Sequence, residues 1–227
     1  MRRPEKRGAL DLGLLFAMFA FAAAGSPSRS QTLPTRNDIV GQLSRFDTAP
    51  ELDVAALRQK VLDGSRVRSR NEPEPAKRPP VVPELLKLPT VTVDIHFDTD
   101  TPVIRPDSYQ TVGRIADSLV EATLLPYSFL IVGHMDATGK REANAILSQR
   151  RADAIRDALV NTFKISSKRI QSLGLGEEQF IDQARPASPV NLQIQIVTIA
   201  KTPESEPGGQ PAATSLPSSA RKSAKKR

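Results

Sequence analysis

The residues best suited to chemistry are a carboxylate and a guanidinium that follow each other along the chain. Asp136 ends a short apolar run, and Arg151 lies in the helical segment after the loop 137–139. Arg151 and Asn144 interrupt a helix face that is otherwise apolar. Burial of an unpaired guanidinium costs several kcal/mol, so a partner must meet Arg151. We expect Asp136 and Arg151 to share a shallow groove, in which the carboxylate takes an ammonium group and the guanidinium holds a carboxylate with two hydrogen bonds.

Two simpler interpretations of the same residues stay open at this point. Asp136 can be a turn residue, while Arg151 extends its aliphatic stem and reaches the surface. Alternatively, the two side chains can form a structural salt bridge that binds no ligand. A zwitterion site, a turn with an exposed cation and an internal ion pair therefore remain the three alternatives.

The hydrophobic pattern predicts strands and helices in the order β-α-β-α-β-β. Alternating apolar residues indicate half-buried strands, and a continuous apolar run before Gly133 indicates a central strand. The segments between the first three strands have apolar residues at helical spacing, which indicates helices. The predicted elements span residues 91–97, 106–120, 128–132, 141–163, 169–173 and 190–199. We predict an α/β fold, a two-layer sandwich in which a mixed sheet carries two helices on one face. About 110 residues suffice for one such core.

A helical wheel orients the second of these helices. Its apolar stripe comprises Ala143, Leu147, Ala154, Ile155 and Ala158, with Arg151 near the centre. The opposite face comprises Glu142, Gln149, Asp153 and Arg156. We therefore expect the stripe, and with it Arg151 and Asn144, to be turned towards the sheet.

The segments around this fold differ from it in composition. Residues 1–25 combine basic residues with an apolar run at 12–24, which is short for a membrane span of about 20 residues and typical of a cleaved signal peptide. An uncleaved anchor or a core helix is the alternative. The other predicted regions are a polar stretch with short helices at 26–64, a linker rich in proline and charge at 65–87, the folded domain at 88–200 and a disordered basic tail at 201–227.

The net charge of +7 does not describe the predicted domain. Residues 89–200 hold 11 Lys and Arg against 13 Asp and Glu, whereas residues 201–227 hold six basic and two acidic residues. We therefore expect no nucleic-acid binding, although the tail can attract anionic lipid headgroups or envelope polymers. The chain has no Cys, which excludes disulfides, thiolate chemistry and acylation as a lipoprotein.

The sequence offers no set of residues for catalysis, a metal or a cofactor. His96 and His134 are the only histidines, and neither falls in a Ser-His-Asp pattern. His134 and Asp136 would supply two metal ligands, which is too few for a site. We expect a binding protein, with His134 hydrogen-bonded in the core or a loop.

The segment GHMDATGKREANAILSQRRADAIRDAL resembles the signature of the OmpA-like family. The matching positions are Gly133, His134, Asp136, Gly139, Asn144, Leu147, Ser148, Arg150, Arg151 and Ala152. Residues 95–98 resemble the family's first strand, and residues 169–177 resemble its G-x-G-E turn. The resemblance covers about residues 88–200.

The resemblance implies binding of peptidoglycan through the diaminopimelate side chain, which anchors the protein to the cell wall in the periplasm. Asp136 would take the free ammonium and Arg151 the carboxylate. The other implied contacts are Asn144 and Leu147 for the shape of the pocket, the backbone of Ala137, Thr138 and Gly139, and Phe97 and Asp98 from the first strand.

Two departures bear on that expectation. Met135 stands where the family usually has Thr, and Leu192 and Gln193 replace an Arg pair that usually opens the last strand. A domain with a degenerate pocket is therefore one alternative. The other is a stator-like wall binder anchored in the inner membrane, which requires the N-terminal apolar run to persist as a helix. Nothing in the sequence supports attachment to the outer membrane.

Overall fold

The computed structural model describes residues 34–48, 52–66 and 73–201. The predicted signal peptide and nearly all of the predicted tail lie outside the described residues. Along this part of the chain, no helix has both the length and the apolar character needed to cross a membrane.

Four strands form one mixed sheet. They are β1 (Thr90–Val93), β2 (Tyr127–His134), β3 (Ile170–Gly176) and β4 (Ile194–Lys201). The order across the sheet is β1-β4-β2-β3, with β4 antiparallel to both neighbours and β2 parallel to β3. Since parallel strands end at the same edge, the loops after β2 and β3 meet there.

The described α-helices number four. They are α1 (Arg36–Leu43), α2 (Val54–Arg66), α3 (Tyr109–Leu119) and α4 (Arg141–Asp157). Helix α4 is the crossover between the parallel strands β2 and β3. Phe129 and Ile131 of β2 join Ile115 of α3 and Ile155 of α4 in one buried cluster. The predicted α/β fold, with a mixed sheet and two helices on one face, is confirmed.

The opposite face of the sheet is also covered, by residues that precede the predicted domain. Leu130 and Val132 alternate with Phe129 and Ile131, so they point away from α3 and α4 and need a cover of their own. Val82 and Leu85 provide it and are themselves buried, together with residues of α2. Within the predicted linker rich in proline and charge at 65–87, Val82 and Leu85 thus contribute to the core.

Helix α2 lies beside β3, the strand at one edge of the sheet. The guanidinium of Arg58 donates a hydrogen bond to the Ser172 carbonyl oxygen at 2.7 Å. An uncovered edge strand presents unpaired backbone groups, which favour pairing with another chain. Helix α2, which lies mostly in the predicted polar stretch with short helices at 26–64, thus protects the sheet.

Several predicted boundaries differ from the observed ones. Strand β1 ends at Val93 instead of 97, and Phe97 pairs only with Ile104 as an isolated bridge. Strand β4 begins at 194 instead of 190, because Pro189 starts a 3-10 turn that runs to Leu192. Pro favours the first turn of a helix and lacks the N–H that a ladder needs.

Candidate functional site

Helix α4 lies so close to the sheet that glycine is needed beneath it. A Cβ at Gly133 would stand 2.4 Å from the Ser148 carbonyl oxygen, and one at Gly174 would stand 2.1 Å from the Gln149 nitrogen. Both distances are far shorter than a van der Waals contact. The backbones of α4, β2 and β3 therefore fix where the polar side chains of α4 project.

The buried side of α4 is not the predicted stripe. Its buried residues are Asn144, Ala145, Ser148, Ala152 and Ile155, whereas Ala143 is exposed and Leu147 and Ala154 are half-buried. The wheel counted only apolar residues, but close packing on glycines also buries the polar residues Asn144 and Ser148. Arg151 therefore lies at the border of the buried face instead of its centre.

The side-chain amide of Asn144 organises the loop after β2. Its Nδ2 donates to the carbonyl oxygens of Asp136 at 3.2 Å and Thr138 at 2.8 Å. The same nitrogen lies 3.1 Å from Oε2 of Glu177, at the end of β3. Gly139 gives the loop its turn with a φ of +87°. Asn144 thus ties together the two loops that meet at this edge of the sheet.

The Asp136 carboxylate is bonded on one oxygen and open on the other. Oδ1 accepts hydrogen bonds from the Thr138 backbone, at 3.2 Å, and from its hydroxyl. Among the described residues Oδ2 accepts no hydrogen bond, yet it is not sealed from solvent. The residue as a whole is 7% exposed. Asp136 therefore has a single, oriented oxygen without a hydrogen-bond partner among the described residues.

The Arg151 guanidinium is half-buried and has no carboxylate partner within the described ranges. Its Nε donates to the Thr101 carbonyl oxygen at 3.1 Å, and Nη1 lies 3.5 Å from the Met135 sulfur. The guanidinium carbon stands 4.9 Å from the centre of the Phe97 ring, a cation–π contact. Within the described structure Nη2 makes no hydrogen bond, and it reaches solvent.

Arg151 contacts Met135, the residue before Asp136, so the two charges lie in one neighbourhood. Burial lowers the pKa of Arg151, and the negative charges of Asp100 and Asp136 act against that shift. An arginine nevertheless keeps its charge at any physiological pH. The site therefore offers a fixed cation and, near it, a carboxylate with one open oxygen, which suits a ligand carrying both charges.

The structure brings most, though not all, of the predicted site residues together. Asp136, Thr138 and Asn144 are joined by hydrogen bonds, and Phe97 stacks on Arg151. The loop residues Ala137 and Gly139 lie between them in sequence. Asp98 is exposed and Leu147 is half-buried, and no described hydrogen bond or ring contact links either to the others.

Sequence reasoning missed three contributors to the site. Thr101 and Met135 hold the guanidinium of Arg151, and Glu177 supports Asn144. Glu177 was part of the G-x-G-E resemblance, but its role follows only from the approach of the two loops. A carbonyl such as that of Thr101 has no side-chain signal, so no motif would reveal it.

His134 is a structural residue beside the site, as predicted. Its Nδ1 donates to the Gln179 carbonyl oxygen at 2.8 Å, and Nε2 lies 2.9 Å from Oε1 of Gln195. Burial is the main influence on the pKa of His134 and lowers it. In the part of the chain that the structure describes, no three His, Asp or Glu residues are grouped to hold a metal.

The pKa of His134 is lower in the folded than in the unfolded protein. The folded protein should therefore be more stable at higher pH. The unfolded state binds the extra proton below its own pKa of about 6.5, so the free energy of unfolding falls as pH drops through that value. The limiting slope is about 1.4 kcal/mol per pH unit. Urea unfolding at pH 5.5 and 7.5 measures it, with His134→Gln expected to flatten the difference. An equal pH dependence in the variant would contradict this assignment.

Comparison with known proteins agrees with the geometry. Residues 96–191 match the OmpA family. The chain is 33% identical to outer membrane porin F of Pseudomonas aeruginosa over 97 residues, which is 43% of this chain and 27% of the porin. It is 39% identical to the peptidoglycan-associated lipoprotein of Mesorhizobium japonicum over 85 residues, 37% of this chain and 49% of the lipoprotein. The match thus spans half or less of each relative's length.

Solved structures give weaker similarities. The cell wall anchor of the T6SS from Pseudomonas aeruginosa aligns with a TM-score of 0.42 at 20% identity, over 65% of this chain and 97% of the anchor. The peptidoglycan-associated lipoprotein from Burkholderia pseudomallei aligns with a TM-score of 0.37 at 25% identity, over 57% of this chain and 97% of the lipoprotein. The family model and the curated relatives thus agree that residues 96–191 of this chain are similar to the OmpA family.

Proposed function

We propose that this protein binds peptidoglycan non-covalently through the diaminopimelate side chain and tethers itself to the cell wall in the periplasm. One observation carries the proposal: a half-buried guanidinium without a carboxylate partner in the described structure stands near a carboxylate with one open oxygen. The free end of diaminopimelate carries an ammonium and a carboxylate on one carbon. The names of the porin and the lipoprotein place those relatives in the outer membrane and on peptidoglycan, which supports an envelope location.

Each end of the site has a defined role in this proposal. Oδ2 of Asp136 takes the ligand ammonium, and Nη2 of Arg151 donates to the ligand carboxylate. Phe97 and the Thr101 carbonyl hold the guanidinium so that little of its freedom is lost on binding. The backbone of residues 137–139 borders the ligand, and no bond is made or broken. One contact of this kind is weak, and many copies on one polymer strengthen the attachment.

The departures from the family pattern bear on the affinity of a single site for its ligand. Met135 offers Arg151 a thioether, a weak acceptor, where a hydroxyl would be a better one. Leu192 and Gln193 are half-buried at the end of the 3-10 turn before β4. Without an Arg pair there, the ligand carboxylate relies on Arg151, so we expect the affinity of a single site to be low.

Replacement of either charged residue should abolish co-sedimentation with diaminopimelate-type peptidoglycan. Loss of one partner from a desolvated charge pair costs about 2–5 kcal/mol, which is at least about a thirtyfold loss of affinity. The variants are Asp136→Ala and Arg151→Ala in the full chain. Matched controls are Asp117→Ala and Arg150→Ala, which remove exposed charges from α3 and α4. Pelleting of both site variants at the wild-type level would refute the proposal.

Lysine-type peptidoglycan separates the two halves of the site. Lysine keeps the side-chain ammonium but lacks the terminal carboxylate, so it loses the contact with Arg151. The wild type should therefore prefer the diaminopimelate-type wall, whereas Arg151→Ala should bind both walls equally poorly. Equal affinity of the wild type for the two walls would argue for a charge attraction that does not read diaminopimelate.

A further inference from the structure

A segment outside the matched family region lies against the turn that supports the site. We name residues 73–88 the strap. Arg78 of the strap forms an ion pair with Glu177, with Nη1 2.9 Å from Oε1. The two side chains are only 14% and 7% exposed. A contact this sheltered is weakly screened by salt and depends on geometry.

The strap is held in place by further contacts in its middle part, at residues 78–82. The backbone N–H of Val82 donates to Oε1 of Gln179 at 3.2 Å, and Gln183 donates to the Arg78 carbonyl oxygen at 3.0 Å. Lys60 of α2 donates to the Val81 carbonyl oxygen at 2.9 Å. The strap thus connects helix α2 with the turn after β3.

Glu177 links this contact to the loop after β2, residues 136–139, which we name the ligand loop. One carboxylate oxygen takes Arg78, and the other accepts from Nδ2 of Asn144. Asn144 in turn holds the carbonyl oxygens of Asp136 and Thr138. A continuous line of polar contacts therefore runs from Arg78 to the loop that orients the Asp136 carboxylate.

Arg78 also determines whether Glu177 can accept the hydrogen bond from Asn144. A buried carboxylate is stabilised by a nearby positive charge or by several donors. Arg78 supplies that charge to Glu177 and fixes its side chain, so that Oε2 points at Asn144. Without Arg78, Glu177 is free to turn away, and the Asn144 amide loses an acceptor.

We propose that Arg78 is a positioning residue for the ligand loop, acting through Glu177 and Asn144. This inference rests on the proposed function, since it states that contacts of the strap keep the proposed peptidoglycan site ordered. It places a determinant of binding strength in the chain between α2 and the domain of residues 96–191. A displacement of the strap would therefore loosen the grip on the ligand without a direct contact with it.

Arg78→Ala should weaken co-sedimentation of the full chain about tenfold, the middle of the range for residues that act through a network. It should also speed hydrogen exchange of the Asn144 side-chain amide, measured by NMR, while amides in β2 and β3 keep their protection. Arg78→Lys, which keeps the charge, should recover part of both losses. Lys77→Ala removes a neighbouring charge whose ion pair with Glu74 is exposed, and serves as the matched control.

Glu177→Gln tests the same line from its middle. An amide has one acceptor oxygen and cannot serve both Arg78 and Asn144, so this variant should resemble Arg78→Ala. The double variant should lose no more than the stronger single one. Wild-type binding and Asn144 exchange in Arg78→Ala would overturn the inference, and so would faster exchange spread evenly over the sheet. If the wild type itself fails to pellet, the wall-binding proposal falls, and the exchange of Asn144 still decides the role of Arg78.

Discussion

Alanine at position 174 should lower the free energy of unfolding by about 3 kcal/mol or more, a value typical of severe overpacking. The added Cβ would stand 2.1 Å from the nitrogen and 2.5 Å from the Cα of Gln149. These are helix backbone atoms, so the conflict cannot be relieved by turning a side chain. Helix α4 must move away from β3, and Asn144 and Arg151 move with it. We therefore expect wall binding to fall along with stability.

Gly113→Ala is the matched control for this substitution. Its Cβ would meet only the Phe163 ring, at the ordinary distance of 3.9 Å, in the middle of α3. Alanine is favoured over glycine in a helix by about 1 kcal/mol, so this variant should be slightly more stable. Urea unfolding of the two variants beside the wild type measures the difference. A Gly174→Ala protein as stable as Gly113→Ala would mean that α4 does not lie directly on β3.

The exchange of Asn144 for aspartate should have the second large effect. The two side chains have the same shape, but the substitution replaces an NH₂ donor with an oxygen that faces three other oxygens, those of Asp136, Thr138 and Glu177. An unpaired charge left at a buried position costs about 3–5 kcal/mol. The ligand loop should detach from α4. Peptidoglycan binding should then fall about a hundredfold, the size of loss that a misplacement of about 1 Å can cause.

Asn161→Asp makes the same chemical change at an exposed position near the end of the helical segment. It should leave both stability and binding near the wild-type values. Co-sedimentation and urea unfolding of the two variants at pH 7 provide the comparison. If Asn144→Asp were as stable as Asn161→Asp, the hydrogen bonds assigned to the Asn144 amide would be wrong.

The sequence was sufficient for the fold around the site, because hydrophobic periodicity reports directly on burial. Residues such as Val91 and Val93, or Ile194 and Ile196, alternate only if a sheet has a buried side. The cover of the second face was missed for the same reason. Val82 and Leu85 are separated by proline and followed by charge, so they show no period and resemble a linker. Burial there is decided by the far side of β2, which is distant in sequence.

The structure brings part of the predicted site together for a comparable reason. Asp136 and Asn144 are joined by a short loop, so their proximity follows from chain connectivity. The stripe of α4 was misplaced because polar residues on its buried side, such as Asn144 and Ser148, carry no weight in a hydrophobic pattern. The pair of Arg78 and Glu177 lies 99 positions apart, and no spacing rule reaches so far.

The cover on the second face has a practical consequence for handling the protein. A piece of the chain cut at residue 88 would keep every matched family position yet strip Val82, Leu85 and α2 from the sheet. The sheet would then expose one continuous hydrophobic patch, formed by Leu130, Val132, Leu173 and Val197. Surfaces of this kind make proteins stick to each other and to polymers without selectivity. Such a fragment would bind wall material non-specifically whether or not its pocket were intact. The shortest fragment suitable for purification and binding experiments therefore starts near residue 34.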